Sequence, residues 1–359
     1  MAVVATGFFD GVHLGHRQVI QTLVSSARQR GEEAIVVTFA QHPRAVLQQD
    51  ARILRLLNSP QEKEALLRAL GVDRVETLSF DRSFARLTAE EYLRTVLCDR
   101  LGATLLVLGY DNRLGSDCLG PDALRPLAES LGLEVTIVPP TSAAKSAVSA
   151  VAPENRASKL ACPSTPCAPF QGDLSLSGGI VRGRGPSPDG RGPATPDVFR
   201  GELPNCFAAE VVISSTKIRG CLERGDVEGA EAMLGYAYGL RGIVVSGKQL
   251  GRELGFPTAN LRLYDPMKLV PAKGVYLTEV EVLGGHYWGM TNVGDVIETN
   301  IFDFNEDIYG LDLSIRFRRH LRAMRSFDSL DALSAQLAAD RDTCRALLAS
   351  GSGSGSPAA

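Results

Sequence analysis

An apolar strand end that turns straight into a helix opens the chain, and it restricts the folds that can follow. Val3-Val4-Ala5 reads as the end of a buried strand and Gly7-Phe8-Phe9-Asp10-Gly11 as a turn. Val19, Ile20, Leu23, Val24 and Ala27 then recur at helical spacing. The alternation continues to about residue 140: the runs at 34–39, 75–78, 105–108 and 135–138 read as strands, and 62–70, 90–101 and 122–131 as helices. Continuous apolar strands separated by helices predict a parallel sheet covered on both faces. Ligands of such sheets bind at the carboxyl ends of the strands. His13-Leu14-Gly15-His16, Thr38-Phe39-Ala40-Gln41-His42-Pro43 and Gly109-Tyr110-Asp111 all fall on that edge.

Beyond residue 140 the texture changes twice. Residues 141–208 are rich in Pro, Gly, Ser and Ala without sustained periodicity, so they read as a low-complexity, disordered insertion. Order returns with a short strand at Val211-Val212-Ile213 and a helix at 225–234, then a linker to about residue 239. The runs at 243–245, 275–283 and 288–293 read as antiparallel strands. Leu311, Leu313, Ile315 and Phe317 alternate with Asp312, Ser314, Arg316 and Arg318 as a half-buried strand should. Strands without intervening helices predict a small barrel. A helix at 326–348, with Leu330, Leu333 and Leu337 on one face, closes it, and 349–359 is a Gly/Ser tail. Phe302, Phe304 and Tyr309 are expected in the barrel core.

A formal net charge of −3 over 359 residues gives no footprint for nucleic acid. No apolar run reaches the length needed to cross a bilayer. Seven scattered cysteines form no disulfide framework, and Cys162 and Cys167 lack partners for a zinc site. A reducing, cytoplasmic setting without an obligate protein partner is expected.

Three motifs carry chemistry. Glycines at a helix start let backbone N–H groups approach phosphate, and the helix dipole favours its charge. His13 and His16 add donors there, although a surface pair or two zinc ligands would use the same spacing. Ile213-Ser214-Ser215-Thr216-Lys217-Ile218-Arg219 offers hydroxyls, amides and a guanidinium to phosphate, or merely a helix cap. Gly247-Lys-Gln-Leu-Gly-Arg-Glu-Leu-Gly-Phe-Pro-Thr-Ala-Asn260 is a long glycine-rich stretch, followed by Asn292-Val293-Gly294 and an acidic segment from Glu298.

The His-x-Gly-His turn resembles that of the nucleotidylyltransferases. Together with 213–219 it resembles the FMN adenylyltransferase module of the bacterial bifunctional riboflavin kinase/FAD synthetases. The glycine-rich stretch is similar to the riboflavin kinase module of the same family. The resemblance implies an α/β Rossmann-like, HUP-type nucleotidylyltransferase sheet (1–140 and 209–234) followed by an antiparallel kinase β-barrel with a closing helix (235–348). Its substrates would be riboflavin, FMN and ATP, with Mg²⁺ as cofactor.

Gly7, Phe9, Asp10, Gly11, His13, Gly15, His16, Ser214, Ser215, Thr216 and Arg219 would hold the first ATP, and Thr38, His42 and Asp111 the flavin. Gly247, Gly251, Arg252, Gly255, Pro257, Thr258 and Asn260 would hold the second ATP, with Thr258 and Asn260 on Mg²⁺ and Glu298 as base. The family pattern differs at three places: the insertion itself; Leu114 where Asp-x-x-Phe-Gly is usual; and a missing Thr-x-Pro-Thr loop between Gly294 and Glu298. Loss of the kinase activity, and a flavin- or nucleotide-binding protein without turnover, are the competing expectations.

Overall fold

The computed structural model describes residues 1–42, 55–143, 211–247, 251 and 255–351. The sequence readings for 144–210, Arg252, Pro43 and 352–359 lie outside the described residues.

Five parallel strands form the first sheet: β1 (Ala2–Thr6), β2 (Glu33–Phe39), β3 (Arg74–Leu78), β4 (Ala103–Gly109) and β5 (Glu134–Val138), in the order β3-β2-β1-β4-β5. Every pairing is parallel, so each connection crosses over through a helix. Alternate side chains of β1 feed two separate cores. Val3 and Ala5 pack with Ile20, Leu23 and Ala27 of α1 (Leu14–Arg30). Val4 packs with Leu93, Leu97 and Leu124 on the opposite face. Ile20 and Leu23 are fully buried, each contributing about 1.5–3 kcal/mol.

The helices are α2 (Pro60–Ala69), α3 (Ala89–Tyr92) and α4 (Pro121–Ser130). Ser59 and Glu62 form a reciprocal capping box that starts α2. The helix expected over 90–101 is a short α-helical turn followed by a π-helical run, Leu93–Arg100.

Beyond β5, β6 (Ser142–Ala143) pairs antiparallel with β7 (Val211–Val212). Two helices follow where one was expected, α5 (Ser215–Glu223) and α6 (Val227–Leu234). Gly225 separates them with φ +79°, a conformation that ends a helix and suits glycine.

Six antiparallel strands then close a barrel: β8 (Gly239–Val245), β9 (Ala259–Leu263), β10 (Gly274–Val282), β11 (Gly285–Val293), β12 (Ile297–Ile301) and β13 (Asp312–Ala323). The strands β9 and β12 went unread in the sequence because each spans five residues and carries polar side chains. Thr278, Thr291 and Thr299 are fully buried and hydrogen-bonded in a chain, Oγ1 to Oγ1 at 2.8 and 2.9 Å. That pairing removes the penalty of burying hydroxyls.

The closing helix α7 (Leu330–Gly351) packs through Leu337, Cys344 and Leu347 against Val275, Leu277 and Met290. Leu330 is exposed, so the apolar face lies further along than its leucine spacing suggested. Asp340 accepts hydrogen bonds from both Nε and Nη2 of Arg322, pinning the helix to β13. Phe302 is buried beneath this helix and Phe304 half-buried, whereas Tyr309 is exposed and stands outside the core.

Candidate active sites

A cleft of about 320 Å³ opens at the carboxyl edge of the parallel sheet. It gathers most of the first predicted set: Gly7, Phe9, Asp10, His13, Gly15, His16, His42, Asp111, Ser214, Ser215, Thr216 and Arg219 all line it. Gly11 and Thr38 do not. The turn between β1 and α1 is strained, with positive φ at Phe9 (52°), Gly11 (84°) and even the β-branched Val12 (35°). Strain of this kind persists where surrounding structure over-determines the backbone, commonly at ligand sites.

His13 is the N-cap of α1, and its Nδ1 accepts from the His16 amide at 3.3 Å. The two imidazoles stack with centroids 3.6 Å apart. Gly15 makes this possible, because a Cβ there would press on the His13 ring at 3.3 Å. Burial lowers the His13 pKa to about 4. His16 is also held well below the usual histidine value, by burial first and then by the charges of His13 and Lys63. Both rings are therefore neutral at pH 7, and a neutral imidazole still donates one N–H to a phosphate oxygen.

Asp10 has a different task from the phosphate contact expected of it. Its buried carboxylate accepts from the amides of Leu57 (2.9 Å) and Asn58 (3.3 Å) and from Arg219 Nη2 at 2.5 Å. Its backbone carbonyl accepts from Ser215 Oγ at 2.9 Å. Burial raises the Asp10 pKa, with Arg219 acting against it. Asp10 thus ties the first turn, the 55–58 segment and the start of α5 together. Ser214 caps α5, accepting from the Lys217 amide at 3.4 Å, so the capping reading holds while the residue also lines the cleft.

Thr38 is buried under the cleft floor, where its hydroxyl donates to the Phe8 carbonyl at 3.2 Å. A flavin contact through that hydroxyl does not fit this position. Leu114, the departure from the family's phenylalanine, is buried in the sheet core and not in the cleft wall. The neighbouring Asn112 lines the cleft and donates to the Thr6 carbonyl at 2.8 Å, a role its sequence context did not announce.

The second set collects on the barrel. Asn260 of β9 pairs in register with Glu298 of β12, which pairs on its other side with Asn292 of β11. These three side chains therefore share one face. A Cβ at Gly247 would fall 2.1 Å from Asn260 Nδ2, and one at Gly251 2.4 Å from the Phe256 carbonyl and 3.1 Å from Thr258 Oγ1. Gly247 thus lies against Asn260 and Gly251 against Thr258. Gly255 turns the chain with φ +79°.

A second cleft of about 320 Å³ is lined by Pro257, Thr258, Thr299, Phe304 and the 305–309 turn. Glu306 and Asp307, read from sequence only as turn residues, form its rim. Glu298 and Asn260 do not line this cleft; their neighbours Thr299 and Ala259 do, because successive residues of a strand point to opposite faces. The missing loop leaves β11 and β12 joined by Gly294-Asp295-Val296 alone, closed by a Gly294 N–H bond to the Val296 carbonyl at 3.1 Å. Among the described residues, no group of three or more His, Cys, Asp or Glu side chains could cage a metal. The hydroxyl of Thr258 and the amide oxygen of Asn260 are hard donors, suited to an ion that arrives bound to phosphates.

A helix N-terminus and paired neutral imidazoles at a sheet edge, joined to a barrel with Gly247 and Gly251 set against oxygen donors, define a nucleotide-handling transferase with two sites. The family model for FAD synthetase matches residues 1–152, and that for riboflavin kinase matches residues 234–348. The bifunctional riboflavin kinase/FMN adenylyltransferase of Escherichia coli (strain K12) is 31% identical, covering 96% of this chain and 91% of its own length. The Bacillus subtilis (strain 168) protein of the same name is 28% identical over 95% of this chain and 90% of its own. A crystal structure described as a macrolide-efflux protein from Streptococcus pneumoniae superposes with TM-score 0.72 and 29% identity, covering 96% of this chain and 93% of that one. The chain belongs to the bifunctional riboflavin kinase/FMN adenylyltransferase family. Among the described residues, no helix is long and apolar enough to cross a membrane.

Proposed function

We infer that this chain converts riboflavin to FMN with one ATP and FMN to FAD with a second, in the reducing setting of the cytoplasm. The observation that carries this reading is the presence of two separate clefts in one family member, each beside one of the two motif sets. Residues 1–140 with 209–234 form the adenylyltransferase domain, 235–348 form the kinase domain, and 141–208 form an insertion between the two parts of the first.

In the kinase step, Glu298 takes the proton of the riboflavin 5′-hydroxyl. That oxygen bonds to the γ-phosphorus as the bond to the β-phosphate bridge breaks, releasing ADP. Thr258 and Asn260 would hold Mg²⁺, which neutralises phosphate charge when bound. Gly247, Gly251, Arg252, Gly255 and Pro257 would hold the nucleotide. In the second step an FMN phosphate oxygen attacks the α-phosphorus of ATP, and the bond to the leaving pyrophosphate breaks. His13 and His16 donate to the oxygens on which charge grows. Ser214, Ser215, Thr216 and Arg219 hold the outer phosphates, and His42 and Asp111 border the flavin. Riboflavin, FMN and ATP are the partners, without nucleic acid or an obligate protein partner.

The test supplies riboflavin, Mg²⁺ and ATP and separates the products by chromatography. FMN and FAD should both appear. FAD from added FMN with none from riboflavin would reduce the reading to the adenylyltransferase alone. Tight flavin binding without any product would leave a binding protein.

A further inference from the structure

Beneath the first cleft lies a buried cation that none of the motifs includes. Lys63, on the first turns of α2, is only 6% exposed. Its ammonium donates to the Thr38 hydroxyl at 2.9 Å and to the carbonyls of Phe8 at 3.1 Å and Phe39 at 3.3 Å. It also lies 4.2 Å from the centroid of the Phe8 ring. These partners are the carboxyl end of β2 and the strained turn that leads from β1 to His13. Each is a neutral oxygen or a ring face. A buried ammonium is costly unless its charge is compensated. This one stands under a cleft built to receive phosphates.

We propose that Lys63 is a positioning residue for adenylyl transfer: it clamps the turn after β1 to the end of β2 through Phe8, Thr38 and Phe39, and sets a positive charge under the bound triphosphate. The proposal rests on the adenylyltransferase reading of this cleft. Burial supports it by bringing the Lys63 ammonium down to about 8, with Asp10 opposing the shift.

The other ionisable groups facing this place are Asp10 in the turn, held by Arg219 of α5; His13 and His16 at the start of α1; and His42 after β2, whose ring meets Phe8 edge-on at 4.4 Å. Burial raises the Asp10 carboxyl against the pull of Arg219, and the two stacked histidines stay neutral above pH 7. Deprotonation of Lys63 should appear as an alkaline limb that goes with the Lys63 side chain.

The experiment measures FAD formation from FMN against ATP concentration between pH 6.5 and 9.5, with FMN formation from riboflavin in the same full-length samples as a control of folding. For the parent chain, kcat/KM for ATP should fall about tenfold per pH unit above a midpoint near 8. Lys63→Met should lower it by roughly 10- to 100-fold at pH 7.5 and remove the limb, with the kinase step unchanged. Lys63→Arg, charged throughout, should restore most of the rate and show no limb. His42→Asn should keep the limb.

An alkaline limb that survives in Lys63→Met, or a folded Lys63→Met with parental kcat/KM, overturns the proposal. If Lys63→Met loses both activities, the parent and Lys63→Arg decide: a limb in the parent alone supports it, and a limb in both or in neither overturns it. Failure of FAD formation in the parent chain would instead refute the function reading.

Discussion

At the scale of single residues, the first site consists of neutral groups held in a buried place. His13 ionises near pH 4 in the folded chain against 6.5 for the free side chain. A lowered histidine pKa stabilises the fold fully above 6.5, and that stability is lost as pH falls towards 4. The loss for His13 is on the order of 3 kcal/mol. Thermal unfolding at pH 7.5 and 4.5 should show it, and His13→Asn should flatten the difference. For the chemistry, His16→Ala should lower FAD formation about 10²-fold, the scale of one lost transition-state donor. Glu298→Ala should abolish FMN formation while FAD formation from supplied FMN continues, which parallel product assays would reveal. Equal damage to both steps by either change would contradict separate sites.

At the scale of elements, the two-stranded pairing of β6 with β7 brings together the residues that flank 144–210. The Ile213 amide donates to the Thr141 carbonyl at 3.1 Å, and Ala143 lies opposite Val211. The chain is therefore back at Thr141 when α5 starts, and Ser215 of α5 donates to the Asp10 carbonyl at 2.9 Å. Replacing 144–210 with Asn-Gly should give a two-residue hairpin at this position. FAD formation should then stay within about threefold of the parent, since closing a shorter loop costs little. Loss of FAD formation with an intact kinase step would refute this. The helices themselves were legible where periodicity was strong, as in α1. The break at Gly225 and the late docking of α7 were less so, because both follow from what the helices pack against.

At the scale of the molecule, α5 and α6, which complete the first cleft, share a core with the barrel. Leu57, which follows the 43–54 stretch after β2, packs with Ile218, Leu222, Met233 and Leu234 of α5 and α6 and with Leu240, Ile315 and Phe317 of the barrel. Leu56 exchanges backbone hydrogen bonds with Met267 and Leu269, both 2.8 Å. Between those residues, buried Lys268 pairs with Glu62 of α2. Glu62→Ala should destabilise the chain by about 1–3 kcal/mol, less than for a fully buried pair because Glu62 is 30% exposed. Heating should abolish FMN and FAD formation within about 3 °C of each other, because unfolding the barrel removes the core on which α5 and α6 of the first cleft rest. Activities lost at well-separated temperatures would show that the two parts unfold independently.

What the sequence determined by itself was chemical and local: an alternating strand–helix pattern, a parallel edge with His13 and His16 on it, a glycine loop ending at Asn260, and Glu298 downstream. These are legible because backbone conformation and side-chain chemistry are written in short spacings. Only the tertiary structure assigned Asp10 to three distant segments, put Thr38 beneath the cleft, aligned Asn260 with Glu298, and brought Lys63 under Phe8. Those outcomes depend on register and on contacts between segments far apart in the chain, which no local pattern encodes.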